Sequence, residues 1–120
     1  MNKTRWQHSC AVITTSSSSG NVVLVCGGDG RSDCEIYDPA TNSWTNGPSL
    51  PSELRGSAML TAAPNSVYDA FILGGASDNN RWIYSNKIYG VKDLTTITLV
   101  GTFEKARGYH VAFVGINDVC

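Results

Sequence analysis

Charge is scarce in this sequence. Only 16% of the residues are charged, 9 basic against 10 acidic, for a formal net charge of -1. Such a balance offers no field to attract a polyanion, so neither nucleic acid nor an anionic membrane is expected as a partner. Long apolar runs are missing too. The longest aliphatic stretches fall far short of the roughly twenty residues a membrane span needs, and the opening MNKTRWQHSC has no apolar core of a leader peptide. A cytoplasmic chain is therefore expected, with secretion as the alternative if the true N-terminus lies upstream. No segment carries helical periodicity, which leaves an all-β chain. Catalytic grammar is equally thin. There is no Gly-x-Ser-x-Gly elbow, and neither His8 nor His110 has a nucleophile partner at a recognisable spacing, so no enzyme activity is expected.

The four cysteines (Cys10, Cys26, Cys34 and Cys120) include no CxxC pair, which argues against zinc. Cys10 and Cys26 sit in apolar strand-like runs, where a free thiol behaves as a small hydrophobe. Reduced core thiols are the expectation. The alternative is a Cys26–Cys34 or Cys10–Cys26 disulfide in a secreted protein. Asp29, Asp33 and Asp78 lack the spacing and terminal glutamate of a calcium loop. Gly28-Asp29-Gly30-Arg31 has neither the lysine nor the following helix of a phosphate loop. No metal and no cofactor is expected.

What is present is organised around Val22 to Trp44, VVLVCGGDGRSDCEIYDPATNSW. Val22–Val25 is a β-branched-rich run that favours a buried strand. Gly27-Gly28 ends it with two residues free to take positive φ. Glu35-Ile36-Tyr37 resumes extended chain, Asp38-Pro39 begins a turn, and Trp44 supplies a large apolar surface. Parts of this return about fifty residues later: Gly27-Gly28 as Gly74-Gly75, Tyr37 as Tyr89, and Arg5 as Arg55 and Arg107. Each unit reads as four strands. The first has 10–14, 22–27, 34–37 and 43–45; the second has 57–62, 68–74, 87–91 and 96–100. A ninth segment, 109–114, opens a third. The units divide at 5–54, 55–106 and 107–120.

The double glycine after an apolar strand, the Glu35-x-Tyr37-Asp38-Pro39 strand end and Trp44 resemble a kelch repeat, one four-stranded antiparallel blade of a β-propeller. The resemblance makes Gly27, Gly28, Glu35, Tyr37, Asp38 and Trp44 structural in the first unit, and Gly74, Gly75 and Tyr89 in the second. The second unit has no Asp-Pro, and its tryptophan position falls near Thr96 or Ile97. Propellers contain 4–8 blades, so about two units do not close a ring. The chain reads as a fragment of a longer parent or as a self-associating piece.

A kelch resemblance implies a non-catalytic protein-interaction module whose partner is another protein. Substrate recruitment to a cullin-type ubiquitin ligase and association with actin are the cytosolic roles it implies. A secreted adhesion module, or a fragment of a copper oxidase resembling galactose oxidase, is the alternative. Contact residues are expected in the loops after the double glycines, at Asp29, Arg31, Asp78, Arg81 and Trp82.

Overall fold

A computed structural model describes residues 1–15, 20–77 and 84–108. The described chain is all β, with eight strands in two four-stranded antiparallel sheets and no helix. The first sheet holds β1 (Ser9–Thr14), β2 (Asn21–Cys26), β3 (Asp33–Asp38) and β4 (Ser43–Ser49), in that spatial order. The second repeats the meander with β5 (Ala58–Thr61), β6 (Ala70–Leu73), β7 (Ser85–Lys92) and β8 (Thr96–Arg107). Every strand read from the sequence within the described residues is there; β4 and β8 run furthest beyond the expected ends, whereas β5 and β6 are shorter than 57–62 and 68–74. A register shift between Asp33 and Glu35 lets β4 continue to Ser49, and a pairing of Ser85 with Arg107 carries β8 past Val100. Pro48 is tolerated inside β4 because β4 is an edge strand, where no neighbour needs its missing N–H. The expected ninth segment lies outside the described residues.

Strand alternation gives each sheet two apolar faces. Ala11, Ile13, Val22, Leu24, Cys26, Cys34 and Ile36 form the back of the first sheet. They pack on Met59, Ala70, Ile72, Tyr89, Val91 and Ile97 from the front of the second. Leu50 and Leu54, from the β4–β5 connection, complete this core. Three polar contacts join the same faces near the inner strands. Ser9 Oγ meets Ser57 Oγ at 3.1 Å, both buried; Thr61 Oγ1 donates to the Val12 carbonyl at 2.9 Å; and Arg55 pairs with Asp29.

The cysteines depart from the expectation of reduced core thiols. Cys26 and Cys34 face each other across β2 and β3, with Cα atoms 4.1 Å apart, and are joined as a disulfide. Direct cross-strand pairing is what brings them together, since a hairpin register places residue 26 opposite residue 34. Cys10 is a free thiol and is exposed, because its side chain points to the opposite face of β1 from the core.

Hydrogen-bond register also fixes which residues of the two units are equivalent, and it differs from the sequence spacing. Val25 pairs Glu35 in the first sheet as Ile72 pairs Tyr89 in the second. Tyr89 therefore holds the place of Glu35, and Val91, opposite Ala70, holds that of Tyr37, which lies opposite Val23. Trp44 pairs Tyr37 as Ile97 pairs Val91, so Ile97 occupies the tryptophan position. The counterpart of Asp38 is Lys92 rather than Gly90.

Candidate interaction surface

The meander puts the β2–β3 and β6–β7 connections, the N-terminal segment and the β4–β5 connection at one end of the two sheets. The double glycines make this end possible. Gly28 has φ 117°, and a Cβ on it would lie 2.9 Å from the Trp6 carbonyl oxygen. Gly75 has φ 94°, and its Cβ would lie 2.8 Å from the carbonyl oxygen of Arg55. Neither the dihedral nor the space suits a side chain. The close approach lets Asp29 N donate to Trp6 O at 3.0 Å, and Ala76 N to Arg55 O at 2.8 Å. The equivalent of Arg55 is thus Trp6. Arg5, whose Cβ lies against Gly28 as Leu54 Cδ1 lies against Gly75, takes the place of Leu54.

Arg5 goes where a leucine stands in the second unit, and its charge is met by oxygen on several sides. Its side chain has no exposed surface, nor does that of Glu35. Arg5 Nη2 lies 3.0 Å from Glu35 Oε2, and Nη1 donates to the carbonyls of Gly27 at 3.0 Å and Asp33 at 2.8 Å. The second Glu35 oxygen accepts from the Asn2 backbone N–H at 2.9 Å. Asp33 gathers Lys3 (2.8 Å), Arg31 (3.0 Å) and Arg5 (3.2 Å). Burial alone would raise the Asp33 carboxyl, but the hydrogen bonds from Arg31 and Lys3 and the nearby Arg5 charge outweigh it and hold it well below the ordinary range. This network ties segment 2–5 to the β2–β3 turn and stiffens that turn.

The expected contact residues have varied placements. Asp29 is engaged by Arg55, and Arg31 by Asp33, so both stabilise the turn from within. Asp78, Arg81 and Trp82 lie outside the described residues. Among the described residues, Ser52, Leu54, Ser77, Tyr84, Asn86 and Lys87 line an open cleft of about 250 Å³ at the same end. At the other end, Asp38 accepts from Ala40 N at 2.9 Å and sets the β3–β4 turn. Tyr37 and Trp44 pack there with ring centroids 5.0 Å apart, both half-buried. His8 is exposed. Among the described residues, no group of three or more His, Cys, Asp or Glu side chains is placed to hold a metal.

Sequence reasoning passed over Asn2, Lys3 and Arg5 as partners of Asp33 and Glu35. A signal was present in Glu35 itself, a carboxylate in the middle of a strand whose neighbours on both sides are apolar or disulfide-bonded. A charge there demands a buried partner.

Among curated proteins, none matches this chain. A scan against protein families matches the kelch motif over residues 14–51, which run from the end of β1 to just beyond β4. Kelch repeats build β-propeller protein-interaction modules, and both sheets have the strand number and order of such blades. Residues 14–51 match the kelch motif, and the four-stranded antiparallel sheet that they largely build is consistent with a kelch blade.

Proposed function

We propose that the chain is a non-catalytic module that binds a protein partner through the end of the sheets carrying the β2–β3 and β6–β7 connections. The observation that carries this reading is the stiffened turn at Gly27–Asp33. A buried arginine, a cross-strand disulfide and three positive-φ glycines hold one loop in a fixed shape beside an open cleft. Rigid scaffolds that present loops in this way bind without a large ordering cost. The test is capture of proteins by the immobilised chain. Ser52→Lys with Ser77→Lys, both on exposed positions at the cleft, should abolish capture, whereas Asn65→Lys at the opposite end should leave it intact. Equal capture by all three, or equal loss from both variants, sinks the assignment.

The disulfide supports a second reading for where this happens. A buried Cys26–Cys34 bond suits an oxidising compartment, and so favours an extracellular adhesion-type module over recruitment to a ubiquitin ligase or binding to actin. Thiols alkylated in denaturant at the moment of lysis, so that burial does not shield them, and counted by mass decide between them. Alkylated Cys26 and Cys34 would restore the cytoplasmic reading, and their protection would support the extracellular one.

A further inference from the structure

Among the described residues, the two sheets leave one face each without a partner sheet, and register identifies what those faces are. On the front of the first sheet stand Cys10, Val12, Val23, Val25, Tyr37 and Trp44. Strand pairing makes each the equivalent of a residue on the front of the second sheet: Met59, Thr61, Ala70, Ile72, Val91 and Ile97, in the same order. That second set is the surface the second sheet lays on the back of the first. On the back of the second sheet stand Leu60, Phe71, Leu73 and Ile88, the equivalents of Ala11, Leu24, Cys26 and Cys34. Those four belong to the back surface that receives the second sheet.

The open front is therefore of the kind that docks, and the open back is of the kind that is docked upon. The back is apolar, and the front is apolar apart from Glu35, which is buried with Val25 where Arg5 and Asn2 bond to it. The rest is only partly covered, since Val12 is 50% exposed, and Val23, Tyr37, Trp44, Leu60, Phe71, Leu73 and Ile88 are all half-buried. Segment 2–5 does not obstruct the front, because it holds the position that segment 51–54 holds at the edge of the covered front. We infer that a second copy of this chain docks head to tail, the front of one copy's first sheet against the back of the other's second sheet. The contact continues the interface already present within each copy. It is heterologous, so every docked pair still offers one free front and one free back, and copies add until the arrangement closes or extends.

The test uses the 120-residue chain, Val12→Lys on the front and Leu73→Lys on the back, followed by light scattering across a concentration series. The unsubstituted chain should rise from 12.9 kDa to at least twice that mass. Each variant alone should stay at monomer mass, because every contact needs one intact front and one intact back. An equimolar mixture should double in mass, since the Leu73→Lys copy supplies the front and the Val12→Lys copy the back. An unsubstituted chain that stays monomeric at every concentration overturns the proposal. So does a single variant that pairs with itself, which would mean a symmetric front-to-front or back-to-back contact, and so does a mixture that fails to pair. Should Leu73→Lys unfold, the unsubstituted chain still decides. Cys10 sits on the front at the position where its equivalent Met59 is 8% exposed. Its labelling, read by peptide mass, should slow as concentration rises, and a rate independent of concentration overturns the docking.

Discussion

Arg5 and Glu35 put two opposite charges where neither has any solvent-exposed surface. Removing one partner of such a pair strands the other, which costs about 3–5 kcal/mol. Arg5→Leu should lower stability by that order in denaturant titration. The second unit suggests a repair, because Leu54 and Tyr89 hold the equivalent positions. Arg5→Leu with Glu35→Tyr should recover most of the loss. A double variant no more stable than the single one would mean that the two pairs are not interchangeable. Asp33 adds a dependence on pH. Its carboxyl titrates lower in the folded chain than in the unfolded one, where the ordinary value is 3.8. Its stabilisation is thus fully present above that value and drains away as pH falls below it. The melting temperature should exceed that of Asp33→Asn at neutral pH, and the gap should shrink in acid beneath about pH 4. A gap that is constant from neutral to strongly acid solution would contradict the placement of Lys3, Arg5 and Arg31 around this carboxylate.

At the scale of strands, Trp44 on β4 packs against Tyr37 on β3 with the rings tilted by 34° and is only half-buried. Trp44→Ala should therefore cost about 2 kcal/mol, below the usual toll for a wholly enclosed tryptophan. Trp44→Ile should cost less, since Ile97 fills the same register position in the second sheet. Equal melting temperatures for Trp44→Ala and the unsubstituted chain would remove Trp44 from the packing. The strands themselves were legible in the sequence because β-branched runs and glycine or Asx turns are local signals. The tryptophan position near Ile97 was legible for the same reason. What escaped was registration between the units. Arg5 and Arg55 are fifty positions apart and look equivalent, yet hydrogen bonding sets Arg55 opposite Ala76 as Trp6 lies beside Asp29. Tyr89 likewise matches Tyr37 by spacing but Glu35 by pairing. Spacing counts residues along the chain, while pairing depends on loop length, and the loops between β2 and β3 and between β6 and β7 differ. The disulfide was legible only as one of two alternatives for a related reason: it takes the strand pairing to set Cys26 opposite Cys34 and turn Cys10 away.

For the molecule as a whole, the Cys26–Cys34 bond closes a loop with a sequence separation of 8 inside the core between the two sheets. A loop of that size restricts the unfolded chain by about 2–3 kcal/mol. Reduction should lower the melting temperature, and Cys26→Ala with Cys34→Ala should melt near the reduced chain. No change on reduction would mean that the bond contributes nothing to holding the sheets together. The unequal connections have a consequence of their own. Register equivalence advances by 47 positions from Cys26 to Leu73 and by 54 from Cys34 to Ile88, so the second unit carries seven more residues in that one connection. The paired strands on either side keep their alignment. A lineage carrying this architecture can thus lengthen, shorten or rewrite one rim of the molecule by insertion and deletion, leaving the core unaltered, and descendants can diverge in what they recognise while remaining the same fold.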